Sequence, residues 1–169
     1  MLFVFGGLPS AGKSVLSKYL AEKIGAMHIR IDSIEQYLRT YADLDPVGVA
    51  GYVSGYAVAL DNLRLGHRVI AESVNPIEIT REAWRNVATE SESRLCEIEI
   101  VCSNIEEHKQ RYLSRVSDIE GLTFGPWETV TGREYDAWAS KDFTIDTAGK
   151  TVAASQADLL NELTQRGFI

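Results

Sequence analysis

Two hydrophobic periods alternate along the chain. Short apolar runs at Leu2–Phe5, Met27–Ile31, His67–Ala71, Leu95–Val101 and Phe143–Ile145 are too brief for helices and predict strands. The first ends at Gly6-Gly7, the second at Asp32 and the third at Glu72. Helical spacing fills the intervals. In Ser14–Ile24, the residues Val15, Leu16, Tyr19, Leu20 and Ile24 fall on one face, and Gly25 stands past the end. Further helices are predicted at Ser33–Thr40, Pro46–Leu65, Pro76–Thr89, Asn104–Val116, Thr131–Ser140 and Ser155–Gln165. Gly48, Gly51 and Gly55 loosen the second of these, either for close packing or to leave room for a ligand. Ser117–Val130, with two glycines, a proline and Trp127, reads as a loop. Strands that alternate with helices predict an α/β fold: a five-stranded parallel sheet with helices on both faces, a three-layer sandwich.

At 169 residues the chain has the length of one domain, 1–169, and it carries no repeat or dividing linker. Its 45% apolar and 24% charged residues are ordinary for a globular protein. The net charge of −7 argues against duplex nucleic acid as the main partner and leaves room for a local basic pocket. Cys96 and Cys102 lie in one strand, where six steps span roughly 20 Å. A disulfide needs alpha carbons within about 7 Å, so the two read as buried thiols of a reducing compartment. His28, His67 and His108 are scattered, without metal-ligand spacing. Met1–Phe5 lacks the basic flank and cleavage site of a signal peptide, and the longest apolar stretch, Val47–Leu60, is shorter than the roughly 20 residues that span a bilayer. A cytoplasmic protein is expected.

One motif decides the class. Gly7-Leu8-Pro9-Ser10-Ala11-Gly12-Lys13-Ser14 fits G-x-x-x-x-G-K-[ST], after the first strand and at the opening of a helix. Its glycines let successive N–H groups turn toward phosphate oxygens, and the helix amino end adds a positive field. Lys13 can bridge the β- and γ-phosphates and the Ser14 hydroxyl can bind magnesium. The alternative is a glycine turn with a chance Lys-Ser. No N-K-x-D run selects guanine, and the third strand ends Val69-Ile70-Ala71-Glu72 rather than in adjacent Asp-Glu. The short length favours a small phosphotransferase.

Ligands of open parallel sheets bind at the carboxyl ends of the strands, where the P-loop, Asp32 and Glu72 converge. Asp32 can act as general base toward an acceptor hydroxyl, or simply cap the helix that begins at Ser33. Glu72 can hold magnesium through water, or be a solvated strand-end carboxylate. Arg111 and Arg115, a helical turn apart before the glycine-containing loop, can neutralise a transferring phosphoryl group, or form a surface pair with Glu106 and Glu107. Arg133 is a weaker candidate.

GLPSAGKS, the Asp at the end of strand two, the Arg-x-x-x-Arg spacing and IDTAG near the end together resemble the small P-loop kinases. That group includes polynucleotide kinase domains, chloramphenicol phosphotransferase, gluconate and shikimate kinases, and zeta-type toxins. Runs such as ESVNP, TREAW, EEHKQR, DIEGLTFGPW and REYDAW are similar to those of its uncharacterised predicted kinases. The resemblance implies ATP and magnesium as cofactors and transfer of the γ-phosphoryl group to a hydroxyl. It implies nucleotide contacts from Gly7 through Val15, Lys13 and Asp32 as catalytic residues, Arg111 or Arg115 as lid arginine, and Ser14 with Glu72 at the metal. It further implies backbone contacts to adenine from Thr147 and Ala148, a lid over 116–130 and an acceptor-binding segment over 33–66. Two positions depart from the group. Many relatives have Asp where this chain has Glu72, and shikimate kinases carry a second Asp where this chain has Arg30.

The expected acceptor is a small hydroxylated metabolite, nucleoside or antibiotic. A polynucleotide 5′-hydroxyl and a non-catalytic ATP-binding switch are the alternatives. Tyr52 and Tyr56 share a face of the acceptor segment, as core residues or as a stacking surface. Trp84, Trp127 and Trp138 read most simply as core residues, with Trp127, in the loop, the one candidate among them for a substrate contact.

Overall fold

The apolar run Leu2–Gly6 forms β1, and its alternation explains the layers. Phe3 and Phe5 point to one face of the sheet, Leu2 and Val4 to the other, and all four are fully buried. A strand apolar on both faces belongs at the centre of a sheet covered on both sides. The computed structural model describes all 169 residues, Met1–Ile169. The remaining strands are β2 (Met27–Arg30), β3 (Val69–Glu72), β4 (Leu95–Val101) and β5 (Phe143–Asp146). All pair in parallel, in the order β2-β3-β1-β4-β5.

Phe3, Phe5, Ile70, Ile98 and Ile100 pack on one face with Leu16 and Leu20 of α1 (Lys13–Ile24) and Leu159 and Leu163 of α7 (Val152–Gln165). Leu2, Val4, Val69 and Ala71 pack on the other with Ala59 and Leu63 of α3 (Ala50–Arg64) and Trp84, Val87 and Ala88 of α4 (Glu78–Glu90). The expected α/β three-layer sandwich is the fold. Cys96 and Cys102 are free and buried, as their spacing required. No helix is long and apolar enough to cross a membrane.

Several expected boundaries move, each for a local reason. α2 spans Ile31–Tyr41 and begins directly where β2 ends, with the extended Arg30 as its first flanking residue. Asp32 therefore lies inside the first turn, where its charge suits the helix dipole. It is not the cap that a helix from Ser33 would have used. α3 starts at Ala50 rather than Pro46 because Gly48 takes a positive φ of 57°. The close-packing reading of its glycines holds: a Cβ at Gly55 would stand 2.4 Å from Ile31 Cδ1 and one at Gly51 2.3 Å from Glu35 Cγ. The two tyrosines of α3 part company. Tyr56 stacks edge-on against Trp84, with ring centroids 4.5 Å apart, while Tyr52 faces the cavity described below.

α5 (Ile105–Leu113) is shorter than predicted. Asn104 caps it through N–H groups of Glu106 and Glu107, and it ends where the Ser114 hydroxyl takes the Gln110 carbonyl. Arg111 is thus helical and Arg115 is not, so the two do not share a helix face. The predicted helix Thr131–Ser140 is absent. A single short turn, α6 (Glu128–Thr131), precedes it, and residues 132–142 run without regular structure across the α4 side of the sheet. They cover Glu97 and Glu99 of β4. Those two alternate with Cys96, Ile98 and Ile100 as a solvent face would, yet both are buried, paired to Arg85 and Lys141 respectively.

Arg81 of α4 holds that segment in place. It is fully buried and has no carboxylate partner. Its Nε donates to Asn75 O (2.9 Å), Nη1 to Ala137 O (3.2 Å), and Nη2 to Pro76 O (3.2 Å) and Asp136 O (2.8 Å). The guanidinium lies between Tyr135 and Trp138, at 5.3 and 4.9 Å from their ring centroids. Arg81→Met removes four hydrogen bonds to main-chain carbonyls, that to Asn75 fully buried, and the packing between Tyr135 and Trp138. At about 1 kcal/mol or more per orphaned group, it is expected to lower stability by at least ~3 kcal/mol, read from urea unfolding.

Candidate active site

The loop between β1 and α1 turns at two glycines. Gly7 takes φ 135° and Gly12 φ 108°, values that favour glycine. A Cβ on Gly7 would also lie 2.1 Å from Ile100 O. Three carbonyls of the loop are held from behind. Lys13 Nζ donates to Leu8 O (2.9 Å), His108 Nε2 lies 2.7 Å from Pro9 O, and Thr147 Oγ1 donates to Ala11 O (2.9 Å). His108 is itself buried and packs edge-on against Trp127. Neither His108 nor Thr147 carried a sequence signal for this role, since a side chain that bonds a carbonyl across a hundred residues leaves no pattern.

In front of the loop lies a cavity of about 850 Å³. Of the residues expected at a site, Pro9, Ser10, Gly12, Lys13, Ser14 and Val15 line it from the loop and α1. Asp32, Glu72, Arg111, Arg115 and Thr147 line it from the other elements. Gly7, Leu8, Ala11 and Ala148 do not. The Ala148 N–H donates to Asp146 Oδ1 (3.0 Å), so it is already in use. Trp127 is buried in a small cluster with Tyr112 and Val130 rather than placed on the cavity.

Glu72, at the end of β3, is the most connected group. Ser14 Oγ donates to its Oε1, Ser17 Oγ donates to its Oε2 at 2.9 Å, and His28 Nε2 is 3.2 Å from Oε2. Burial pushes this carboxyl up. The bonds from His28 and Ser14 and the charges of Lys13 and Arg30 outweigh that and hold it at about 2. It is ionised at any working pH, and it is no solvated strand-end carboxylate, being 2% exposed.

Lys13 is buried as well. Burial lowers its ammonium from 10.5 to about 8 against the pull of Glu72 and Asp32. Glu35, one turn along α2 from Asp32, also faces the cavity. Burial and the nearby Asp32 raise its carboxyl, and its stem sits in the notch left by Gly51.

The two arginines of the Arg-x-x-x-Arg run serve different places. Arg111 grips the turn after β5, with Nη1 to Thr147 Oγ1 (2.8 Å), Nη2 to Thr147 O (2.9 Å) and Nη2 to Glu107 (2.5 Å). Arg115 packs its guanidinium 4.0 Å from the Phe124 ring centroid and lies where the charges of Asp32, Arg30, Glu72 and Asp118 reach it. In segment 116–130, Asp118 binds Lys18 of α1 and Arg30 at the end of β2 (Nη1–Oδ1 2.7 Å), which holds its carboxyl well below the usual range. Gly121 of the same segment packs on Gln36, where an added Cβ would be 3.0 Å from Nε2.

A buried ammonium with a lowered pKa destabilises the ligand-free protein at neutral pH, because the unfolded chain holds the proton more readily. Lys13→Met is expected to raise Tm by ~3 °C at pH 7, the shift given by about 1 kcal/mol in a domain of this size. It is also expected to abolish the further rise on adding ATP. The gap between the two proteins narrows between pH 8 and 10.5, where the unfolded wild-type chain binds more protons than the folded one and its stability climbs with pH. Thermal scans across pH, with and without ATP, check all three.

No protein-family model matches the chain, and no curated protein matches it by sequence. Solved structures do. A candidate kinase from Chloroflexus aurantiacus superposes over 97% of this chain and 96% of its own, with a TM-score of 0.74 and 21% identity. The APS kinase of Mycobacterium tuberculosis, solved with AMPPNP and APS, covers 96% of each chain at a TM-score of 0.67 and 17% identity. A gluconokinase from Sinorhizobium meliloti covers 96% of this chain and 91% of its own, with a TM-score of 0.66 and 16% identity. At these identities the likeness is one of fold: the chain has the fold of the P-loop kinases.

Proposed function

We propose that the protein is an ATP-dependent kinase that transfers the γ-phosphoryl group to a hydroxyl of a small-molecule acceptor. The observation that carries this reading is the meeting, in one cavity, of a P-loop with a buried lysine, the carboxylates of Asp32 in the first turn of α2 and Glu72 at the end of β3, and a half-buried arginine. The fold shared with an APS kinase solved with AMPPNP supports a nucleotide as donor.

In this reading the N–H groups of the loop and the amino end of α1 hold the β-phosphate, and Lys13 turns from Leu8 O to bridge the β- and γ-phosphates. Ser14 and Glu72 offer a hydroxyl and an ionised carboxylate bonded to each other beside the helix start. Such a hard oxygen pair fits magnesium, which when bound neutralises charge on the phosphates. The acceptor enters beside α2, the near end of segment 33–66. Asp32 takes its hydroxyl proton as the oxygen forms its bond to the γ-phosphorus. The bond to the β–γ bridging oxygen breaks and its electron pair leaves with ADP. Arg115 stabilises the charge on the transferring group. Arg111 holds the turn that borders the base. Segment 116–130 is the lid, closed by Asp118 and limiting wasteful hydrolysis by excluding water.

Asp32→Asn is expected to reduce acceptor-stimulated ADP formation by about 10²–10⁴-fold, the usual worth of a positioned base. ATP affinity should stay within about twofold, because phosphate binding does not run through that carboxylate. A coupled ADP assay and a nucleotide titration check the two numbers separately. A protein that binds ATP but transfers nothing would show no stimulated rate for the substitution to remove.

A further inference from the structure

This inference rests on the kinase reading and concerns what the acceptor carries besides its hydroxyl. Eight of the chain's seventeen lysines and arginines line the cavity, against four of its twenty-four aspartates and glutamates. The chain as a whole is acidic, so the cavity is a basic pocket in a protein of opposite sign. Two of those cations are matched by carboxylates just outside the lining, Arg111 by Glu107 and Lys150 by Asp158, and ATP with its magnesium brings about two negative charges, so the case for a further anion rests on how Arg30 is held.

Arg30 is the buried member of the set. Its side chain is 7% exposed, and its Nε has no hydrogen-bond partner. Glu72 Oε1 lies 3.8 Å from that Nε, beyond hydrogen-bond reach. A buried guanidinium needs an anion close by. Glu72 pairs with it only at that longer distance, and the anion that hydrogen-bonds it is Asp118, whose carboxylate also binds Lys18 and is 51% exposed. That carboxylate comes from the lid, not from the sheet or its helices. Arg30 ends β2, and β3 stands between β2 and the strand that bears the P-loop. Asp32 follows it by two residues. The seat formed by Arg30 and Lys18 is therefore on the side of the proposed base. Arg30, Lys18, Asp32 and Asp118 all line the one cavity.

We propose that Arg30 and Lys18 form the seat for an anionic group on the acceptor, a carboxylate or a phosphate, and that Asp118 fills this seat while the acceptor is absent. The acceptor class is then a hydroxy acid or a phosphorylated alcohol, in place of a neutral sugar, nucleoside or antibiotic. Binding exchanges one carboxylate for another anion on the same two cations. The exchange keeps the buried guanidinium paired throughout and frees the lid to settle over the substrate.

The test measures ADP release with pairs of acceptors that differ only in the anion: gluconate and glucitol, glycerate and glycerol, glucose 6-phosphate and glucose, a nucleoside 5′-monophosphate and its nucleoside. At least one anionic member is expected to stimulate ADP release tenfold or more over its neutral partner, and the carboxylate and phosphate arms identify which anion the seat takes. With that acceptor, Arg30→Gln should raise its KM at least tenfold, more than kcat falls. Arg30→Lys should recover part of the loss. Asp118→Asn, which removes the competing carboxylate, should lower the same KM; a lid contact with no part in the seat would raise it.

Equal stimulation by both members of every pair, or by neutral members alone, overturns the seat and leaves the kinase reading standing. So does an Arg30→Gln variant whose KM for ATP rises as much as that for the acceptor, since the arginine then serves the nucleotide. Failure of every acceptor, anionic or neutral, removes the kinase reading and the seat with it.

Discussion

The working end of the molecule depends on keeping one carboxylate ionised out of water. Burying such a group costs several kcal/mol unless its lone pairs are met. Glu72 meets that demand with donors from two directions, Ser14 and Ser17 on α1 and His28 on β2. The same bonds that keep it charged join the helix that follows the P-loop to the strand that carries Arg30. Its charge also opposes the burial that lowers Lys13, so the lysine of the loop keeps its proton at neutral pH. Loss of that charge would leave Lys13 and Arg30 without their nearest fixed counter-charge, in a cavity already rich in cations.

The class of fold was readable because two independent signals agreed. Apolar runs buried on both faces gave the sheet, and a glycine-rich turn between the first strand and the first helix gave its ligand end. Asp32 and Glu72 were also legible, since the carboxyl ends of parallel strands meet whatever the details. Spacing arguments failed where they assumed a continuous helix. Arg111 and Arg115 sit one turn apart only if the turn exists, and Ser114 ends α5 between them. On β4, Glu97 and Glu99 alternate with apolar residues and yet lie under residues 132–142 with cationic partners of their own.

The residues that support the site were the least visible. His108 and Thr147 act on carbonyls of the P-loop from distant elements, and any polar side chain of the right reach would look the same in sequence. Arg30 reads as an ordinary strand-end residue until its neighbours are known. What makes it unusual is burial beside Glu72 and a partner drawn from a loop eighty-eight residues away. Such features are products of tertiary placement, and the local pattern holds no trace of them.

Arg81 binds the chain at 132–142 by its backbone alone. Recognition of main-chain oxygens is blind to the side chains that flank them. Six side chains of the stretch take part as well: Tyr135 and Trp138 flank the guanidinium, Asp136 accepts from the Glu78 N–H, Ser140 from Arg85 and Asp142 from the Glu97 N–H, and Lys141 pairs with Glu99. The exposed positions between them, Glu134 and Ala139, are therefore where the protein can drift in sequence, or be rewritten by hand to carry a label or a reporter group, while the sheet beneath goes on unchanged.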